Sequence, residues 1–256
     1  MNIGLTITQY LSPALILMTA AVVSVHWPRR GAILHLVMAL AAAKFLGTTG
    51  SGLIWLASPL AILAGAYWFG AVGNKRLALA AVCGLPAVTM AVCGAWPAYR
   101  VSQRIDDGNR GTRVVEGPGA RLRWAPSGPG WPSRGGNWHE ARRACEYLFA
   151  DGASVGEAPQ NVWRLPTAEE LVRSMSLHGQ GAGGVWDASR GQATYRLTPD
   201  KESPLWDPYS LVIYWWTATE AGERRAYSFA YNGRAMAIAK TARRSYHGFR
   251  CVTEPN

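Results

Sequence analysis

No Asp or Glu occurs in the first 97 residues of this 256-residue chain. A water-exposed domain of that length carries charges of both signs, so the absence excludes an ordinary soluble first half. The charges that are present there are Arg29, Arg30, Lys44, Lys75 and Arg76. Cysteine is scarce too: Cys83, Cys93, Cys145 and Cys251 include no Cys-x-x-Cys pair, and the five histidines include no His-x-x-x-His. The common zinc and thiol-redox spacings are therefore missing. A basic stripe interleaved with stacking aromatics is missing as well. After residue 97 the remaining 21 Lys and Arg are scattered among all 16 Asp and Glu, which argues against nucleic acid as a partner.

What the first half does contain is apolar sequence. Four runs, at about 8–26, 31–47, 53–72 and 77–97, each approach the ~20 residues that a spanning helix needs. Tyr10, Trp27, Trp55, Tyr67, Trp68, Trp96 and Tyr99 lie near their ends, as in an interfacial belt. Residues 1–98 are therefore expected to form an all-α anchor of four transmembrane helices in the lipid bilayer. The second run is the weakest, holding His35 and, near its end, Lys44. Without it the count falls to three and the orientation argument fails.

With four spans, Arg29–Arg30 and Lys75–Arg76 share one side, and the positive-inside rule makes that side cytoplasmic. The N-terminus and the C-terminal domain then face outward. The expectation is a multi-pass protein of a bacterial inner (cell) membrane with a periplasmic or extracellular domain. Arg100 and Arg104, just past the last run, pull against this. No cleaved signal peptide is expected, since the first run lacks a basic start and three apolar runs follow it. His26 and His35 read as an interfacial and a packing histidine rather than as haem ligands. Ala39, Ala41, Ala42, Ala43, Ala80, Ala81 and Gly84 suit close helix packing, within the chain, with a second copy or with another membrane protein.

Residues 99–119 are polar and turn-rich and read as a linker. A domain over 120–256 follows, with its first strand at Ala120–Pro126. Asn137 with Glu140, and Thr167 with Glu170, are capping-box pairs that open two helices, the second over about 168–177. Ahead of the second, Trp163-Arg164-Leu165 reads as a short buried strand and Pro166 as its corner. Residues 178–211 are long and irregular but rich in aromatics. A β meander closes the chain: Ile213–Thr217, Ala226–Tyr231, an Asn232–Gly233 hairpin, Ala235–Lys240 and Tyr246–Val252. Tyr227, Phe229 and Tyr231 fall on one strand face. Trp215 and Trp216 point to opposite faces, so at least one is core.

Four motifs in this order resemble the DUF1566, or Lcl C-terminal, group. They are a helix with an internal cysteine (Trp138 to Cys145), then Trp163-Arg164-Leu165-Pro166-Thr167 with Glu170-Leu171. Tyr214-Trp215-Trp216-Thr217-Ala218-Thr219-Glu220 and the closing Gly248-Phe249-Arg250-Cys251-Val252 complete the set. The resemblance covers about residues 120–253. It implies an α+β, C-type-lectin-like fold with a mainly antiparallel sheet, related to formylglycine-generating enzymes. It also implies a disulfide between Cys145 and Cys251, which are the two cysteines outside the apolar runs. Two buried free thiols are the alternative.

In lectin-like folds the long loop region makes contact with ligand. Here it offers Trp186, Asp187, Trp206, Asp207 and Tyr209, aromatic rings and carboxylates suited to a glycan, peptide or protein ligand. Trp186 and Trp206 serve equally well as the loop's own small core. No cofactor is implied. Calcium would suit the carboxylates, but no clear motif supports it. The terminal Glu254-Pro255-Asn256 resembles a sugar-binding triplet of calcium-dependent lectins, but it lies after Cys251 and lacks a Trp-Asn-Asp partner. The related enzymes bind metal through a reactive cysteine pair, and this domain has none to spare, so no catalytic residue is assigned. The reading is a membrane-anchored, outward-facing binding, adhesin or sensor module. Its alternative is a structural or signalling subunit of a membrane complex that uses the outer domain for protein–protein contact, and a less favoured one is an enzyme related to formylglycine-generating enzymes.

Overall fold

In the computed structural model, residues 12–46, 57–70 and 73–255 are described. The chain divides into two units, 1–100 and 101–256. In the first unit, helices α1 (Ser12–His26), α2 (Pro28–Leu46), α3 (Ser58–Phe69) and α4 (Lys75–Ser102) follow one another. Trp27 separates α1 from α2, and Pro28 occupies the first position of α2, where a missing N–H costs nothing. The Asn74 side chain caps α4 by accepting from Leu77 N at 3.1 Å. A π-helical turn over Ala80–Gly84 interrupts α4. His35 is buried and sits 2.9 Å from Gly31 O and 3.3 Å from Ser24 Oγ, a packing role between α1 and α2.

The expected anchor of four spanning helices is corrected here. Among the described residues one helix, Lys75–Ser102 with 28 residues, is long and apolar enough to cross a membrane. Over the described residues α1 has 15 residues and α3 has 12, short of the ~20 that span a bilayer. Helix α2 has 19 residues but carries Arg29 and Arg30 in its first turn and Lys44 in its last. Parts of the first and third apolar runs lie outside the described residues, as do Tyr10 and Trp55. The orientation argument counted loops between four spans, and it goes with them.

The second unit is α+β. Strands β1 (Arg113–Gly117), β2 (Ala120–Trp124) and β11 (Val252–Thr253) form one antiparallel sheet in the order β1-β2-β11. Helices α5 (Trp138–Glu146) and α6 (Ala168–Ser174) each begin at a complete capping box, Asn137 with Glu140 and Thr167 with Glu170. Two short hairpins follow, β3 (Ser176–Leu177) with β4 (Gln180–Gly181) and β5 (Val185–Asp187) with β6 (Gln192–Thr194). Strands β7 (Tyr214–Glu220), β8 (Arg225–Ala230), β9 (Ala235–Ala239) and β10 (His247–Gly248) make the second sheet, ordered β10-β7-β8-β9. Its pairs are antiparallel except β10 with β7, which is parallel. The Asn232–Gly233 turn forms as expected, with Gly233 at φ 84°, a left-handed conformation that glycine adopts without a Cβ penalty.

Strand β7 is central to the core because its two tryptophans part. Trp215 enters one apolar cluster with Trp124, Leu171, Trp206 and Phe229. Trp216 enters a second with Trp138, Trp163, Leu165 and the Cys145–Cys251 disulfide. The bridge joins α5 to the residue before β11, across 106 positions of sequence. Three indole N–H groups reach carbonyls: Trp138 to Thr217, Trp163 to Phe149 and Trp216 to Gly136, at 2.8, 2.8 and 3.0 Å. Arg164 clamps the corner before α6, donating twice to the Glu170 carboxylate at 2.7 Å.

The stretch expected as a linker is part of this unit. Arg104 Nε and Nη2 donate to Asp200 Oδ1 at 3.0 and 2.7 Å. Ile105 N donates to Glu202 Oε2, and Ser203 N donates back to Ile105 O. Arg110 bridges Asp106 and Asp207. Residues 104–113 thus lie as a strap along 200–207, and the first strand begins at Arg113 rather than Ala120.

Candidate ligand-binding edge

The strap determines how the long 178–211 segment is held. Asp200, Lys201, Glu202 and Ser203 are all buried, although each is polar. Such groups are costly unless partnered, and here they are partnered. The Glu202 carboxylate accepts from the backbone N–H groups of Ile105 and His178. Lys201 Nζ donates to Ser210 O. Burial pushes the Lys201 pKa down to about 8, the Arg104 charge lowers it further, and Asp207 opposes both.

Trp206 is 2% exposed and stacks on Trp215, so it presents no surface to a ligand. That expectation is corrected: a large flat ring four residues beyond buried Glu202 gains more by closing the core. Trp186 on β5 is half-buried and meets Tyr227 and Phe229 edge-on, at 4.9 and 5.3 Å. The Asp187 carboxylate is engaged within its own turn, accepting from Ser189 N, Ser189 Oγ and Arg190 N. These bonds, first that of the Ser189 hydroxyl, hold its pKa below the ordinary carboxylate value. Asp207 accepts from Arg110 at 3.0 Å and from Tyr209 N at 2.9 Å. Tyr209 alone of the five is widely exposed, at 67%. Asp207 and Tyr209 share one turn, while Trp186 and Asp187 belong to a different hairpin.

The turn 207–211 is held at both ends. Arg110 holds Asp207, and Lys201 holds Ser210 O. Between and beside these anchors Tyr209 and Leu211 point outward, Leu211 at 46% exposure. Immediately after them, Ile213 N and Tyr214 N both donate to Tyr246 O at 3.1 Å. This brings in residues the sequence reading did not single out. The Tyr214 ring lies 5.7 Å from that of Tyr246 and stacks on His247 at 4.7 Å. Arg244 Nη1 donates to Tyr246 Oη at 2.9 Å. The result is an edge of half-buried tyrosines and one exposed arginine beside an exposed Tyr–Leu pair.

His247 lies beneath this edge, 1% exposed, with Nδ1 unpartnered. Desolvation lowers its pKa to about 4, and the neighbouring Arg244 charge adds to the effect. It is a neutral ring that supports Tyr214, not a proton carrier at neutral pH. The turn over 244–247 rests on Gly135 and Gly136, whose N–H groups donate to Ser245 O and His247 O at 2.8 and 3.0 Å. A Cβ at Gly135 would come 2.0 Å from His247 O, so no side chain fits there. The pairing of Tyr214-Trp215 with His247-Gly248 could have been suspected from two aromatic-rich strands. The parallel register leaves no local sequence signal.

Among the described residues, no group of three or more His, Cys, Asp or Glu is placed to hold a metal ion. What the edge can do chemically is stack on a flat apolar face, hydrogen-bond through tyrosine hydroxyls and attract an acceptor group through Arg244. No family model matches the chain, nor does any curated protein or solved structure.

Proposed function

We propose that residues 101–255 are a ligand-binding module, carried by a membrane-inserting helical segment and exposed to an oxidising compartment. The observation that carries the reading is the 207–211 turn. Two exposed apolar side chains, Tyr209 and Leu211, project from a backbone fixed at Asp207 and Ser210. Holding such a pair in place before binding lowers the ordering cost that binding must meet. The Cys145–Cys251 disulfide supports the choice of compartment, because such bonds persist outside the reducing cytosol. The module would then lie in the periplasm or at the cell surface. The α+β architecture is compatible with the lectin-like resemblance, and that relationship is part of the proposal. The ligand class is a glycan or peptide with a flat apolar face and acceptor groups.

The test is a thermal-shift titration of the full chain in neutral detergent against glycans, cell-wall fragments and peptides, with and without calcium. Ligand at about a hundredfold its Kd adds ~2.7 kcal/mol, a shift of a few degrees. The shift should vanish in Tyr209→Ala and in Leu211→Ser, both of which keep the disulfide and the unliganded melting temperature. A saturable shift that survives both substitutions would place binding elsewhere. No shift across the panel would favour a purely structural contact with another protein.

A further inference from the structure

We infer that the first unit contains a second, separate site: a cationic cleft at the helix ends that binds a phosphate-bearing anion, supplied by the headgroup of an anionic phospholipid. The cleft, of about 670 Å³, is formed where α1 passes into α2 and where α3 ends ahead of α4. Arg29, Arg30 and Lys75 line it, with Trp27, Tyr67 and Trp68.

Three observations point to an anion. First, the charges are uncompensated: no Asp or Glu exists anywhere in residues 1–97, and neither α2 nor α4 has an acidic residue in its first turn. Second, Arg29 and Arg30 in the first turn of α2, and Lys75 at the start of α4, are cations at helix N-termini. The helix dipole disfavours them there, so nothing in α2 or α4 explains their convergence. The ends of α1 and α3 bring opposite dipoles to the same place, which roughly cancels the backbone contribution and leaves three full side-chain charges. Third, all three side chains are exposed, free to close on a ligand. Arg30 lies only at the margin of the Trp27 ring, 6.0 Å from its centroid.

Two further observations favour a lipid as the source. The cleft adjoins the start of Lys75–Ser102, the one described helix with the length and composition to cross a membrane. That helix leaves Leu77, Leu85, Val88 and Val92 at 60–69% exposure, uncovered by the chain itself. Beside the cleft, Trp27, Trp68 and Phe69 are 55%, 51% and 89% exposed. A charged pocket flanked by bare aromatic and aliphatic surface matches an amphiphile with an anionic head and apolar tails. Amphipathic indoles favour the same headgroup level.

Full-length protein in a neutral maltoside detergent would be titrated with short-chain phosphatidylglycerol, the matching phosphatidylcholine and inorganic phosphate, with bound adducts counted by native mass spectrometry. One phosphatidylglycerol should bind saturably, preferred over phosphatidylcholine by at least about tenfold. The combined Arg29→Gln, Arg30→Gln and Lys75→Gln variant should bind on the order of a hundredfold more weakly, at about fivefold per cation. Arg76→Gln, one residue along but outside the cleft, should be nearly unchanged. Equal binding of phosphatidylcholine, or wild-type binding by the triple variant, would overturn the site. Displacement of phosphatidylglycerol by inorganic phosphate at comparable concentration would overturn the lipid source and leave a soluble phosphate site. Should the triple variant lose its helical circular dichroism, Lys75→Gln alone and a salt series decide. Binding that does not weaken between about 50 and about 500 mM salt is not electrostatic, and the proposal fails. The module's ligand plays no part in these readouts.

Discussion

The indole of Trp206 lies flat on that of Trp215, ring centroids 3.9 Å apart and planes 18° from parallel. Trp215 in turn stacks on Trp124 at 5.7 Å, so three tryptophans from a loop, β7 and β2 form one continuous pile. The N–H groups of Trp124 and Trp215 are enclosed without an acceptor. That is a cost the apolar burial of the pile must outweigh. The stack fastens the long loop to the sheet, alongside the hydrogen bonds that tie it to the 104–113 strap and to Arg250. Trp206→Ala should therefore destabilise the module by about 3–5 kcal/mol. Denaturant unfolding followed by near-UV circular dichroism checks it. A loss under 1 kcal/mol would mean that the strap and Arg250 hold the loop without help from the stack.

The disulfide closes a span of 106 residues and joins α5 covalently to the end of the chain. On the chain-entropy account, removing a link over so long a span costs about 4–5 kcal/mol. The Cys145→Ser/Cys251→Ser double variant should melt well below the oxidised protein and close to the protein treated with reductant. Cys83 and Cys93 are free and lie on α4, so labelling of unreduced protein should find two thiols and not four.

Arg250 is fully buried, and its guanidinium donates to the carbonyls of Ala125, Pro204 and Leu205 at 2.8–2.9 Å. It also sits 3.7 Å from the centre of the Trp131 ring. One side chain thus joins β2's end, the long loop and the last strand. Arg250→Lys keeps the charge but not the planar fork, and leaves carbonyls unpaired. It should cost about 3 kcal/mol or more, with Arg250→Met no milder. Unfolding midpoints of both variants test this.

Gly135 is where backbone meets backbone. An added Cβ would approach the carbonyl oxygens of His247 and Arg244 at 2.0 and 2.7 Å, and neither belongs to a flexible side chain. Gly135→Ala should cost about 1–3 kcal/mol and displace the 244–247 turn, weakening ligand binding at the Tyr214–Tyr246 edge along with stability. Arg244→Ala, on the same turn but exposed, should leave the melting temperature almost unchanged. Comparing the two separates scaffold from contact.

How much of this could be read in the sequence depended on how local the signal was. Asn137 with Glu140, and Thr167 with Glu170, sit three residues apart, and both capping boxes form. Asn232–Gly233 specifies its turn by itself, and the alternation of Trp215 and Trp216 follows from strand geometry. The 104–113 strap was not legible. Arg104 pairs with Asp200 at 96 residues' separation, so a polar, glycine-rich stretch looked like a tether. The four spans failed for a related reason. Hydropathy counts apolar residues over a run, whereas among the described residues α2 opens at Pro28 with two arginines and α3 is described over 12 residues only. Tyr209 and Trp206 were equivalent as letters in one loop. Only the stack on Trp215 separates the core ring from the exposed one.

The same enclosure that supports the tyrosine edge makes the module acid-sensitive in two stages. His247 is held neutral, its pKa lowered to about 4 from an ordinary 6.5 by burial and then by Arg244. In the unfolded chain it takes up a proton near pH 6.5, in the folded one only near 4. The unfolded state therefore binds more protons between these values, and stability is full above pH 6.5 and falls on acidification through that window. The loss is at most about 3 kcal/mol. Glu170 acts at lower pH. Burial opposes its ionisation, but the Arg164 guanidinium and the Thr167 N–H more than offset this, so its pKa is lowered. Its contribution is present above the ordinary carboxylate value and is lost as pH falls through the lowered one. Unfolding midpoints measured in steps from pH 7.5 to pH 3 should decline first in the histidine window. His247→Phe should flatten that first decline and leave the second, whereas Glu170→Gln should lower stability at neutral pH and flatten only the second. An unaltered first decline in His247→Phe would assign it to another group.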